Sequence, residues 1–322
     1  MRVKIWQGSK EDWDNILISS NNLSIYQSYQ WGEYSKSSKW KIYRLVAKIS
    51  NEKNINLTIL LKKLPLGIGI AWCQGINEIP RNIEKYSLQK AIKEALNINI
   101  LYMRIKLLTE FNDLCKSELI KQGWKECYSH LSSNDTLIYN FTEDLQLSKN
   151  WKKNLKRSEK NKNLISLWSN PDAKIINHLY KKLEDYKKIK TQFTLKQINS
   201  LIKSIRKNLI VVVCENNEGK IISLRAAIIF NKKALDIFSI STFEGRKTYA
   251  GYGILWKLLE LCKKRGVEIY DLGGVDKKNN SSVYNFKKGI GSIEYKYLGE
   301  FDWSNINFIR IIFGMIIKKM YN

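Results

Sequence analysis

The sequence predicts a mixed α/β (α+β) chain built from two similar modules, and three observations lead there. With 322 residues and 44% apolar composition, it can bury a core large enough for two domains or one large one. Short apolar runs that read as strands alternate with longer runs of helical period. The order of these runs in the first half recurs in the second, and recurrence of a whole supersecondary unit marks an internal duplication.

Strand-like runs lie at 43–49 and 57–61, joined by a polar turn at 50–56, which is a hairpin signal. A helical period spans 83–96, with Ile83, Tyr86, Leu88, Ala91, Ile92 and Ala95 on its apolar side. A strand at 100–105, a short helix ending at Lys121 before Gly123, and a strand at 136–141 complete the first copy. The second opens with strands at 209–214 and 221–230 around the polar turn 216–220, followed by a strand at 234–241. A helix over 252–265 stops at Gly266. Strand 267–272, a short helix ending before Gly289 and strand 293–298 follow. The glycine trails its strand by nearly the same distance in both copies, Ile100 to Gly123 and Val267 to Gly289. The local texts are alike too, ELIKQGW at 118–124 against YNFKKGI at 284–290. Between the copies, the basic stretch 151–162 reads as a helix with Trp151, Leu155 and Ser158 on one side and a cationic face on the other, ahead of helical patterns at 173–188 and 195–207. A lone run of lysines is a solvated surface. At the junction of two modules, where ligand clefts tend to form, contact with phosphate or nucleic acid is an equal reading.

Lys and Arg total 55 against 30 Asp and Glu, a net charge of +25, and only ten of the 55 are Arg. The excess points to nucleic acid, nucleotide phosphate or an acidic membrane leaflet as partner, although a compositional bias toward Lys, Asn and Ile accounts for part of it. His130 and His178 are far apart, and Cys73, Cys115, Cys127, Cys214 and Cys262 have no ligand-like spacing, so no structural metal is expected. Cys214 and Cys262 sit in apolar runs, as reduced core thiols of a cytosolic protein do. Residues 1–15 contain no apolar signal core, so a cytoplasmic location is expected. The segment 306–320 is apolar but interrupted by Arg310 and closed by Lys318 and Lys319, too short and too charged to span a bilayer. It lies in a membrane interface with its lysines toward anionic lipid, or it docks on the core, docking being favoured.

The order of hairpin, helix, strand, short helix and strand resembles the GNAT acyltransferase fold used in tandem. Three passages together resemble the Fem family, the aminoacyltransferases that build peptidoglycan interpeptide bridges from aminoacyl-tRNA. The first is 27–36 (QSYQWGEYSK), with Trp31 and Lys36, and the second is the basic helix at 151–160. The third and most specific comprises Tyr270-Asp271-Leu272-Gly273-Gly274-Val275-Asp276, then 283–291 with Tyr284, Phe286 and Lys287, then 297–302. The passage 71–77 (AWCQGIN) departs from the proline-rich text familiar in the first module of the family.

The resemblance implies two tandem GNAT-like modules, 1–146 joined by a C-terminal helix at 304–322, and 147–303. It implies an enzyme in which a substrate amine attacks the ester carbonyl of aminoacyl-tRNA, the co-substrate, with no cofactor. The acceptor would be an amine on a peptidoglycan precursor, soluble and nucleotide-linked or lipid-linked at the inner membrane leaflet, where peripheral contact would follow. Lys287 beside Phe286 matches the family lysine at the acceptor and carbonyl site, where a cation stabilises the tetrahedral oxyanion. Lys36, with Trp31, matches the lysine that contacts the diphosphate, and Lys39 is its alternative. Arg157 offers a forked donor for phosphate, while Asp271, Gly273, Gly274 and Tyr284 line the site. No residue is singled out as the general base.

Two other readings compete. An acyl-CoA-dependent N-acyltransferase would cradle pyrophosphate at 248–253, which has two glycines but carries Thr248 where that family has Gln or Arg. A non-enzymatic RNA-binding or membrane-surface protein would use the charge and the ten tryptophans. Lys287→Ala separates catalysis from binding, because a transferase would lose turnover far more than affinity.

Overall fold

A computed structural model describes residues 1–20, 22–49, 54–144, 146–161, 163–188, 191 and 193–321. The turn read at 50–56 lies partly outside them, at 50–53. In chain order the first elements are β1 (Arg2–Ile5), α1 (Lys10–Ser19), α2 (Tyr29–Ser35), β2 (Lys41–Lys48), β3 (Asn54–Lys63) and β4 (Ile68–Ile76). Then come α3 (Ser87–Ala95), β5 (Ile100–Glu110), α4 (Asp113–Lys121), β6 (Lys125–Glu126) and β7 (Asp135–Asn140). The middle holds α5 (Lys149–Lys160), β8 (Leu164–Leu167), α6 (Ala173–Lys187), α7 (Leu195–Ile205), β9 (Leu209–Glu215), β10 (Ile221–Phe230) and β11 (Lys233–Ser241). The chain closes with α8 (Phe243–Lys247), α9 (Ala250–Lys264), β12 (Ile269–Gly274), α10 (Ser281–Lys288), β13 (Ile293–Ser304) and α11 (Asn307–Tyr321).

The chain divides into two compact units, one of residues 1–134 with 296–322 and the other of 135–295. In the first, β1 to β4 form an antiparallel meander, β5 lies parallel to β4, and β13 lies antiparallel to β5 with β6 on it. In the second, β8 to β11 form the meander, β12 lies parallel to β11, and β7 lies antiparallel to β12. In each unit a helix, α3 or α9, makes the crossover that a parallel neighbour requires. The duplication is therefore real in topology, with an exchange at its end. The strand after α4, read from the sequence as the close of the first module, belongs to the second unit. From Lys296 onward β13 belongs to the first unit, so the sequence-based boundaries at 146 and 303 fall on the far side of each exchanged strand. Periodicity reports which segments are strands, but the choice of pairing edge depends on contacts far apart in sequence.

Three details differ from the expectation. Helix α3 begins at Ser87 rather than near Ile83, because Tyr86 takes a left-handed conformation (φ 64°) and its N–H bonds the Gln122 carbonyl at 3.0 Å. Ile83 is still buried, but in the preceding loop. The conformational counterpart of Gly123 (φ 93°) is Gly291 (φ 91°), not Gly289 (φ −67°). At Gly123 a Cβ would stand 2.1 Å from the Tyr86 ring, so no other residue fits. Strand β4, absent from the sequence-based reading, is the third strand of the first meander; its alternation is visible in the buried Gly69, Ala71 and Cys73.

Each unit has its own core. In the first, Leu57, Ile59 and Leu61 of β3 and Met103 and Ile105 of β5 pack with Leu88 and Ile92 of α3. In the second, Val212, Cys214 and Ile222 pack with Leu255, Leu258, Leu259 and Cys262 of α9. Cys73, Cys214 and Cys262 are buried and free, and burial pushes the Cys214 thiol up to about 11 and the other two to about 12. They are inert packing groups.

The first unit is also held by a buried ion pair. Glu300 of β13 accepts from Arg104 Nε of β5 at 2.8 Å, from the N–H groups of Leu131 and Ser132, and from Ser132 Oγ at 3.0 Å. Arg104 and Glu300 are 2% and 1% exposed, so the carboxylate fastens the 129–134 loop to β13 in a place water does not reach. Removing one partner of such a pair strands a charge. We expect Glu300→Ala to lower unfolding free energy by about 3–5 kcal/mol, read as a fall in the urea midpoint. Arg104→Met with Glu300→Leu should recover most of the loss.

Candidate active site

The second unit gathers its chemistry at the carboxyl end of β12. This strand ends in Asp271-Leu272-Gly273-Gly274, and Gly273 turns the backbone through φ 75°. That turn brings two successive carbonyls to one point: Lys287 Nζ of α10 donates to Gly273 O at 3.1 Å and to Gly274 O at 3.0 Å. Lys287 is only 9% exposed. The ammonium has three donors, and two are used on neutral carbonyls, while the third has no hydrogen-bond partner among the described residues. Burial lowers the Lys287 pKa from its ordinary value; the Asp236 carboxylate opposes the shift, the Arg225 guanidinium adds to it, and Asp271 opposes it.

Helix α10 is fastened at three points around this lysine. Trp151 of α5, 2% exposed, donates from Nε1 to the Phe286 carbonyl at 3.0 Å. The Ser148 N–H, just before α5, bonds Gly289 O at 2.8 Å, and Ser292 Oγ bonds the carbonyl of Lys287 itself at 2.8 Å. The Phe286 ring meets Tyr252 edge-on at 4.9 Å. A side chain held by packing and hydrogen bonds in its supporting shell keeps its geometry through a reaction.

Beneath Lys287 lies a charge network that sequence reasoning missed. Arg225 of β10 forks onto Asp236 of β11, Nε to Oδ1 at 3.0 Å and a terminal nitrogen to Oδ2 at 2.6 Å, and Tyr270 donates its hydroxyl to Oδ1 at 3.0 Å. Arg225 also lies over the Phe286 ring, 5.6 Å from its centroid. The register shifts between Ala226 and Ala227 of β10, where Ile237 of β11, next to Asp236, is left without a partner in the ladder, the kind of irregularity that re-aims a side chain. One Arg within IISLRAAIIF and one Asp within the next apolar strand were the available signal, since lone opposite charges in adjacent buried strands pair with each other.

The other candidates fall in distinct places. Asp271 accepts from Thr136 Oγ1 at 2.5 Å and from the Gly273 N–H at 2.8 Å, which fixes the turn that carries the two carbonyls. Tyr284 is buried and gives its hydroxyl to Glu294, beneath the Lys277 ammonium. Arg157 lies on the exposed face of α5, bonded to the Tyr249 hydroxyl at 2.8 Å and stacked on that ring. The helix carries its buried side as Trp151, Asn154 and Ser158, with Leu155 half-buried. In the first unit, Trp31 packs edge-on between Tyr26 and Tyr34 on α2, and exposed Lys36 pairs with Glu33 at 2.6 Å. Thus Asp271, Gly273, Gly274, Phe286 and Lys287 come together in the second unit, where Arg157 and Tyr284 bond to other partners, while Trp31 and Lys36 belong to the first.

In the segment 248–253, whose last four residues open α9, a Cβ on Gly253 would stand 2.4 Å from Ile165 Cδ1 and 2.6 Å from Ser158 Oγ. That glycine is required for α9 to approach α5. Asn161 Nδ2 also binds the Thr248 carbonyl at 3.0 Å.

Comparison with known proteins agrees with this architecture. The structure of FemX superposes with a TM-score of 0.79 at 14% identity, covering 98% of this chain and 100% of FemX. A tandem GNAT protein from the clavulanic acid biosynthesis pathway gives 0.58 at 8% identity, covering 94% of this chain and 98% of its own. L-PGS from Bacillus licheniformis gives 0.55 at 12% identity, covering 96% and 97%. At these identities the likenesses establish a tandem GNAT-like fold. No curated protein matches the sequence. The FemAB family model matches residues 82–309, most of the chain and all of the Lys287 region, and the protein is therefore a transferase belonging to the FemAB family.

Proposed function

We propose that the protein moves an amino acid from aminoacyl-tRNA to an amine of a peptidoglycan precursor, forming an amide bond. The observation that carries this reading is the buried Lys287 ammonium, held by two backbone carbonyls, its third N–H without a partner among the described residues. The incoming amine attacks the ester carbonyl, and its carbon becomes tetrahedral with the charge on oxygen. The Lys287 ammonium neutralises that oxyanion in a place where water screens it little. Collapse breaks the ester bond, the ribose hydroxyl leaves with the proton the amine gives up, and the amide remains. Asp271 and the two glycines keep the ammonium aimed, and Phe286 walls the site. The exposed guanidinium of Arg157 suits a phosphate of the tRNA or the precursor. Lys36 suits the precursor diphosphate beside Trp31. Tyr284 serves through its bond to Glu294, steadying α10.

The decisive experiment supplies labelled charged tRNA and a muropeptide precursor, beside a parallel reaction with labelled acyl-CoA. Transfer from tRNA that RNase abolishes is the expected result; transfer from acyl-CoA alone overturns the donor assignment. Lys287→Met should cost about 10²–10³-fold in kcat, the usual worth of one oxyanion donor, with little change in KM. The pH dependence follows from the burial of Lys287. Because its pKa is lowered, the ammonium is lost as pH rises through a value below the ordinary 10.5, so kcat should fall on the alkaline side with a midpoint under 10.5. Conformational stability should move the other way: the unfolded chain holds the proton more tightly, so the cost of burying the charge disappears across the same window. A kcat flat to pH 10.5 would remove Lys287 from the charged role.

A further inference from the structure

Helix α11 carries two faces, and only one is used by the protein. On the inner face Arg310 donates from Nε to Asp302 at 2.5 Å and from a terminal nitrogen to the Glu126 carbonyl at 2.9 Å. Phe313 stacks on Tyr102 at 5.1 Å, and Gly314 is so close to Tyr128 that a Cβ would stand 2.6 Å from its ring. These contacts fix the rotation of the helix. The outer face then presents Phe308, Ile311, Ile312, Met315 and Ile316 at helical spacing as one apolar stripe. Phe308 is 68%, Met315 56% and Ile316 46% exposed. A stripe of this kind on water is unfavourable unless something covers it.

The charge around the stripe indicates what covers it. Exposed Lys318 and Lys319 lie at its C-terminal end. At its N-terminal end a cavity of about 510 Å³ is lined by Lys90, Lys93, Lys125 and Asn307, with Glu94 as its one carboxylate and Arg310 already committed to Asp302. Lys125 bonds Asn307 at 3.2 Å, and neither Lys90 nor Lys93 has an ion pair among the described residues. Apolar side chains flanked at both ends by ammonium groups match a surface with hydrocarbon below and phosphate above. A second copy fits poorly, because pairing two such faces would set lysine against lysine on molecules of net charge +25. No helix among the described residues is long and apolar enough to cross a membrane.

We infer that this face seats the first unit on an anionic phospholipid bilayer, with the α11 stripe in the acyl boundary and lipid phosphate in the Lys90–Lys93–Lys125 cavity. The inference goes beyond the transfer reaction and does not depend on its donor.

The test is sedimentation of the full chain with phosphatidylglycerol–phosphatidylcholine vesicles against pure phosphatidylcholine vesicles, at low and high salt. We expect binding to the anionic vesicles only, weakened by salt. Phe308→Ser with Met315→Ser and Ile316→Ser should weaken it roughly tenfold or more, as should Lys90→Gln with Lys93→Gln and Lys125→Gln. Five of the six positions are exposed and Lys93 is half-buried, and unchanged thermal unfolding confirms that the variants fold. No binding by the parent chain, or undiminished binding by the stripe variant, overturns the proposal. Undiminished binding by the lysine variant overturns the phosphate assignment. A parent chain that is dimeric in size-exclusion chromatography and becomes monomeric in the stripe variant gives the face to a second copy instead.

Discussion

A buried ammonium must find acceptors, and that constraint organises the second unit. Lys287 satisfies two of its donors on Gly273 and Gly274 carbonyls, which point the same way only because Gly273 takes a positive φ. A side chain at that position would be strained, so the glycine and the lysine form one device although a loop and a helix separate them. Asp271 holds the turn, Trp151 holds α10, and Ser292 caps the lysine's own carbonyl. The charged group is thereby kept ready rather than recruited. That readiness is what makes a cation effective against an oxyanion, since no reorganisation is left for the moment of reaction.

Buried opposite charges do different work in the two units. In the first, Arg104–Glu300 and Arg310–Asp302 tie β5, β13, α11 and the loop before β7 into one body. In the second, Arg225–Asp236 lies beside Lys287, where the carboxylate raises its proton affinity and the guanidinium lowers it. Such pairs add little net stability over apolar packing, but losing one partner is costly.

Much of the architecture was legible because each meander and crossover repeats a local pattern. The hairpins, α4, α9, α10 and the basic helix α5 follow from periodicity and from breakers such as Gly123 after α4 and Gly266 after α9. The start of α3 was not, since Tyr86 is turned left-handed by a bond to Gln122, a residue of another element. Within the site, Lys287, Phe286 and the Asp271–Gly274 turn stood out by resemblance to known text. Arg225 and Asp236 did not, because each looks unremarkable in its own strand and becomes meaningful only when β10 and β11 are paired.

The sequence by itself determined the class of fold and the duplication, because both rest on short-range patterns, and its resemblance to known text singled out Lys287, Gly273 and Gly274. Tertiary structure alone decided that β7 joins the second unit and β13 the first, that Gly253 is spent on helix packing, and that α11 turns Phe308, Met315 and Ile316 outward. Those outcomes depend on which surfaces meet. An edge strand exposes hydrogen-bonding groups on a free side, and only long-range contacts select the strand that satisfies them. The rotation of α11 is likewise set by Asp302 and Tyr102, residues that its own sequence does not contain.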